Sequence, residues 1–157
     1  RLAALGVVAS MQPTHATSDM PWVEERLGPA RLAGAYAWRS VLAAGASLAL
    51  GSDFPVESHR PLCGLYAAVT RQDPTGSPAG GWLPKEKLTP REALAGATLG
   101  PAFAAFAEAE NGRLAPGFRA DLTVLHLDPV TATPAGLLAE NAVVATIVDG
   151  RDAYQRR

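Results

Sequence analysis

The sequence predicts an α/β protein with a short parallel sheet in its first part and antiparallel β structure in its tail. Three observations predict it. Two short apolar runs, "LGVVASM" at 5–11 and "ASLALG" at 46–51, are separated by alanine-rich helical sequence. That strand, helix, strand order is the pattern of a parallel pair joined by a crossover. The tail segments "GRLAPGFRADLTVLHLDP" and "AVVATIVDGRDAYQ" alternate apolar residues around glycine-containing turns, as half-buried strands do.

Taken in order, the run at 5–11 reads as a buried strand ended by Pro13. "MPWVEERLG" and the longer "ARLAGAYAWRSVLAAG" read as helices, the second stopped by Gly45. The strand at 46–51 leads into a Gly- and Pro-rich stretch reaching about Leu88, read as a lid-like loop holding a helical turn or two at "GLYAAVTRQ". "LTPREALAGATLGPAFAAF" opens a strong helix, with Thr89 as N-cap, Pro90 in the first turn and Glu92 completing a capping box. Pro101 is expected to kink or split it. The tail strands follow, the last two as a hairpin across Asp149–Gly150. The change from helical to β sequence falls near Asn111.

Composition narrows the function. Of 157 residues, 48% are hydrophobic and 18% charged, which suits an ordered domain with a real core. The net charge is −1 and the only basic run is Arg156–Arg157, so nucleic acid and anionic membrane are poor partners. No apolar run approaches the ~20 residues of a membrane helix. The opening Arg and short apolar run fall short of a secretory leader, and the chain is expected to begin within a longer protein. Cys63 is the single cysteine, which excludes an intrachain disulfide and a multi-cysteine zinc site and fits the cytoplasm.

The candidate chemistry lies just past the two apolar runs. In "LALGSDFPVE", Asp53 follows a strand, where parallel α/β proteins face their ligands. An aspartate there binds a metal or moves a proton, or else it caps its own loop. In "SMQPTH", Gln12 and His15 follow the first strand and share the rim with Asp53 if the strands are parallel neighbours. Glu57 reads as solvated or else as a partner of Asp53, and His59 and His126 as exposed. Arg39 reads as structural, and Arg71 as either a carboxylate partner or an anion site. Trp22, Trp38 and Trp82 read as core or lid packing, and Cys63 as buried filler. A Gly-x-Ser-x-Gly elbow, a phosphate loop, a dinucleotide fingerprint and a His-x-His pair are all missing from the sequence.

The motifs "SMQPTH", "YAWRSVLAAG", "GSDFPVE", "LTPREALAGATLGPA", "NGRLAPGFRADLTVL" and "VVATIVDGR", in this order, resemble the metal-dependent amidohydrolase superfamily. They most resemble amidohydrolase family 3, the branch of N-substituted formamide deformylase-like enzymes. The resemblance implies the C-terminal part of a distorted (β/α)8 barrel, residues 1–110, with 5–11 and 46–51 as its last two strands. It implies that residues 111–157 supply strands of a small β-sandwich. Asp53 then matches the aspartate that contacts the metal and shuttles the proton, while His15 and Gln12 line the substrate pocket. The implied reaction is hydrolysis of an amide- or formamide-like C–N bond in a small molecule, with a divalent metal, zinc by expectation.

The remaining metal ligands of that family would precede residue 1. The resemblance therefore implies a C-terminal fragment, inactive alone, whose uncovered apolar surface associates with other chains. The alternative reading is a stand-alone, non-catalytic binding or structural module.

Overall fold

Strands β1 (Ala9–Met11) and β2 (Leu48–Leu50) pair parallel, Ala9 opposite Leu48 and Met11 opposite Leu50, in the computed structural model, which describes residues 1–156. All three residues of β2 are buried, as a parallel strand covered on both faces requires. β1 starts later than the apolar run suggested. Gly6 takes a left-handed conformation (φ 65°) and closes a 3-10 turn at Ala3–Leu5, so the run divides between turn and strand.

Four short helices link the strands: α1 (Pro13–Asp19), α2 (Val23–Leu27), α3 (Pro29–Leu32) and α4 (Trp38–Ala43). The single long helix expected over 30–45 is therefore broken. Tyr36 adopts φ 50° in the gap and turns its carbonyl to the Arg71 guanidinium, 3.0 Å away. Its hydroxyl donates to Asp19 at the end of α1. These tertiary contacts override the local preference for helix. Burial, reinforced by Asp19, holds the Tyr36 hydroxyl above the usual tyrosine range.

Beyond β2, α5 (Pro61–Thr70) occupies much of the stretch expected to be loop. It buries Leu62, Leu65, Tyr66, Ala67, Ala68 and Thr70, and so belongs to the core rather than to a lid. Next, α6 (Pro90–Ala104) begins with the expected capping box, Thr89 and Glu92 satisfying each other's backbone N–H groups. The same Glu92 pairs with Arg39 of α4, a structural tie between the two helices. Hydrogen bonds led by that from the Thr89 backbone hold the Glu92 carboxyl below the ordinary range. The helix passes through Pro101 to Ala104, so the expected split does not occur.

α6 lies directly on β2, and glycine makes the approach possible. A Cβ on Gly100 would stand 2.1 Å from the Leu48 carbonyl oxygen, and one on Gly96 2.9 Å from Leu50 Cδ1. The backbone contact at Gly100 has no flexible side chain to yield. Gly100→Ala is expected to destabilise the chain by about 3 kcal/mol, read as a lower urea midpoint.

In the tail, β3 (Leu122–Leu125), β4 (Val143–Val148) and β5 (Arg151–Gln155) form one antiparallel sheet in the order β3-β4-β5. Asp149 and Gly150 both have positive φ (50° and 73°), the requirement of a tight primed turn, so the hairpin expected at this dipeptide forms. Helix α7 (Pro134–Leu137) packs against α5. Leu137 and Ala142 thus join the core built on Trp38, Leu48, Leu50, Leu62 and Leu65. No helix among the described residues is long and apolar enough to cross a membrane.

Candidate active site

The parallel pairing of β1 and β2 decides where the polar residues meet. Because both strands run the same way, the residues after Met11 and after Leu50 emerge on one rim. The Gly51 N–H donates to the Met11 carbonyl at 3.1 Å, which carries the register one residue past β2. Asp53 lies two residues further on. Its φ is 56°, a left-handed conformation that aspartate tolerates better than most residues. Its carbonyl accepts the Val56 N–H at 2.8 Å, so the carboxylate stands at the start of a tight turn.

On the facing segment, Pro13 starts α1, and His15 sits in that helix's first turn rather than in a loop. His15 Nε2 lies 3.8 Å from Asp53 Oδ2. The sequence could set the two residues on one rim only if the strands were neighbours; the fold brings them side by side. Their environments differ. The Asp53 side chain is 56% exposed and accepts no hydrogen bond from the described residues. The His15 side chain is 23% exposed, and its Nε2 is buried without a hydrogen-bond partner. The 3.8 Å between them is within ion-pair reach but too long for a hydrogen bond, so the two groups stand close without being bonded.

Gln12 precedes α1 on the same rim, and its carbonyl accepts the His15 N–H at 3.1 Å. Among the described residues its side chain makes no hydrogen bond to either candidate. Glu57 is half-buried and forms no ion pair there. His59 is exposed and packs edge-on against Phe54, with ring centroids 5.5 Å apart. His126 is also exposed, beyond β3, with Nδ1 3.1 Å from the Ala142 carbonyl.

Arg71 is resolved as a structural cation. It is fully buried, donates to the carbonyls of Trp82 and Tyr36, and lies over the rings of Trp38 (4.4 Å) and Trp82 (5.0 Å). Burial draws its pKa down to about 10, opposed by nearby Glu86. Two smaller expectations fail. Trp22 is 45% exposed, with Arg26 over its ring, and Cys63 is half-buried on α5 rather than fully buried.

A metal in this position would find one well-suited donor, the Asp53 carboxylate, with His15 Nε2 3.8 Å from it. The described residues include no group of three His, Cys, Asp or Glu able to hold a metal ion. A catalytic zinc site uses three protein ligands. The residues present therefore fit part of a metal centre.

Sequence reasoning missed a cleft whose wall includes Thr14 and Ser52, the residues that precede this pair in the chain. Pro13 and Thr14 of α1, Ser52 after β2, Gly64 and Leu65 of α5 and Ala97 of α6 help to line it. Its volume is about 220 Å³, and the Thr14 hydroxyl in its wall is buried without a hydrogen-bond partner. The helical character of 13–19 and 61–70 creates it. The Pro at the start of each segment was the one available signal.

Comparison with known proteins places these features in a family. A family model described as "Amidohydrolase family" matches residues 1–154. The chain is 35% identical over 157 residues to YtcJ of Bacillus subtilis strain 168, which carries an amidohydrolase name; the match covers 99% of this chain and 29% of that protein. It is 39% identical over 118 residues to the N-substituted formamide deformylase of Arthrobacter pascens, covering 75% of this chain and 21% of the relative. The crystal structure of an uncharacterized metal-dependent hydrolase from Pyrococcus horikoshii OT3 matches with a TM-score of 0.74 at 31% identity, covering 84% of this chain and 26% of that one. The chain thus spans less than a third of the length of these relatives. On a match that runs almost from end to end, the chain belongs to the amidohydrolase family.

Proposed function

We propose that this chain is the C-terminal part of a metal-dependent hydrolase of amide- or formamide-like C–N bonds. The observation that carries the proposal is the meeting of a free Asp53 carboxylate and an unpartnered His15 Nε2 on the shared rim of two parallel strands. In this reading β1 and β2 are the last two strands of a distorted (β/α)8 barrel, residues 1–110. Residues 111–157 supply strands of a β-sandwich.

Each residue has a defined task. Asp53 holds a divalent metal, zinc by expectation, together with residues outside this chain. When bound, the metal acidifies a water and polarises a carbonyl. Asp53 accepts the proton lost as the water oxygen bonds to the carbonyl carbon, and returns it to the nitrogen as the C–N bond breaks. His15, with its proton on Nε2, donates to the substrate oxygen as negative charge develops there. Gln12, on the same rim, contacts the small-molecule substrate.

The uncovered surface supports the same reading. β1 and β2 each pair only with the other among the described residues. Leu5, Val7, Phe103 and Phe106 are exposed, Phe106 at 93%. We assign this apolar surface to the absent barrel strands, and expect the isolated chain to be inactive and to associate through it. The single cysteine favours the cytoplasm as its compartment.

The test is hydrolysis of simple amides and formamides by the complete gene product, followed as amine release before and after chelation. Activity should vanish with the metal and return with added zinc. Hydrolysis indifferent to chelation would overturn the metal-dependent reading, and no hydrolysis of any amide would favour the non-catalytic module. In the same assay His15→Ala is expected to lower kcat by about 10²- to 10³-fold. Since the ring is mostly buried, thermal unfolding is followed alongside, and the expected result is loss of kcat in a protein that still unfolds cooperatively.

A further inference from the structure

The loop that carries Asp53 is bonded to the rest of the chain at its ends. At its start the Gly51 N–H donates to the Met11 carbonyl at 3.1 Å. Across 52–59 the hydrogen bonds among the described residues stay local: the Val56 N–H donates to the Asp53 carbonyl, and Ser58 Oγ accepts the Arg60 N–H. Phe54 packs on His59, again within the loop, and His15 approaches Asp53 without bonding it. A segment with so few outside contacts takes its position from its ends.

The far end is Arg60, and its side chain makes a long-range connection. Guanidinium Nη2 donates to the Leu138 carbonyl at 3.0 Å and to the Ala139 carbonyl at 3.1 Å, 78 and 79 residues further along the chain. These carbonyls lie just past α7, which Leu137, 2% exposed, seats in the core. The tail side of the contact is therefore well anchored. The loop side is weaker, because α5 starts after Arg60 with no side chain capping its first turn. A cleft of about 360 Å³ flanks the contact, lined by His59, Arg60 and Pro61 from the loop end and by Ala139, Glu140 and Val143 from the tail. At this point the guanidinium is bordered by open space, not by packing that would duplicate its hold.

We infer that Arg60 is a positioning residue: its hold on the turn after α7 fixes the far end of the Asp53 loop, so the C-terminal region takes part in placing the proposed reaction centre. What the loop presents rests on the hydrolase reading; the tie itself does not depend on it. A reacting group misplaced by about 1 Å costs on the order of 10²-fold in rate.

Two measurements on the complete gene product test it. Arg60→Met keeps an apolar stem and removes the donors, whereas Arg60→Lys keeps a cationic donor. In the first, hydrogen exchange is followed over peptides spanning 53–59 and 138–142, with α6 as the control. Exchange should rise at least tenfold in both segments of Arg60→Met, less in Arg60→Lys, and stay unchanged over α6. In the second, formamide hydrolysis is compared. In Arg60→Met kcat should fall at least tenfold with KM within twofold of the parent, and Arg60→Lys should recover part of the loss. Added to Asp53→Asn, Arg60→Met should cost less than twofold more, since the loop then has no proton-accepting carboxylate to place.

Unchanged exchange over 53–59 in Arg60→Met would overturn the inference, and so would a parental kcat or a full additional loss in the Asp53→Asn background. A rise in exchange that extends over α6 also overturns it, as a general loss of stability. If no amide is hydrolysed but exchange rises in the two segments alone, the hydrolase reading fails and the tie stands.

Discussion

Asp53→Asn should abolish hydrolysis by the complete gene product, lowering kcat by about 10²- to 10⁴-fold, the usual contribution of a general base. The substitution keeps the shape of the side chain and removes its ability to take a proton. It also weakens the hold on a cation, because an amide is a poorer ligand than a carboxylate. The structure makes this a clean experiment. The Asp53 carboxylate is more than half exposed and accepts no hydrogen bond from the described residues, so the fold does not depend on its charge. Asparagine also tolerates the left-handed backbone at this position. Thermal unfolding should therefore be nearly unchanged while amine release is lost. Full activity in a folded Asp53→Asn protein would remove Asp53 from the proposed role.

Trp38→Ala should produce the largest loss of stability, about 3–5 kcal/mol, the range for truncating a buried aromatic. Trp38 is fully buried at the start of α4 and packs in the core with Leu48, Leu50 and Leu65. Its indole N–H has no hydrogen-bond partner, so packing and the Arg71 contact account for the effect. The Arg71 guanidinium, 4.4 Å from the ring centre, contributes a desolvated cation–π term of about 2 kcal/mol. A double-mutant cycle with Arg71→Met isolates that part. Arg71→Met alone leaves the Trp82 carbonyl without its donor, at about 1–3 kcal/mol, while the Tyr36 carbonyl keeps the Trp38 N–H. Urea unfolding of the four proteins measures all of these quantities. A coupling near zero would show that the ring and the guanidinium are neighbours without being partners.

Much of the fold was legible because local chemistry and tertiary structure agree in those places. The capping box at Thr89 and Glu92 is written within four residues and forms as written. The Asp149–Gly150 turn is equally local, since two positive φ angles in sequence call for this residue pair. The apolar run of β2 is short and continuous, and it becomes a buried strand. The expectations that failed depend on distant partners. The helix over 30–45 gives way at Tyr36 because Arg71 and Asp19, remote in sequence, hold that residue's carbonyl and hydroxyl. Residues 61–70 form a core helix because α1, α6 and α7 cover it.

The candidate site divides in the same way. The sequence by itself determined the family, the two apolar runs and the polar residues that follow them, because each is a property of neighbouring residues. It named Asp53 and His15 as candidates but could not join them, since 37 residues separate them in the chain. Only the tertiary structure decided that β1 and β2 are parallel neighbours, and the shared rim follows from that pairing. It likewise decided that Arg71 is a core cation. The physical reason is one of range. Caps and turns are fixed by bonds between adjacent residues, whereas a site is fixed by strand pairing and helix packing, which the chain reaches only when it folds.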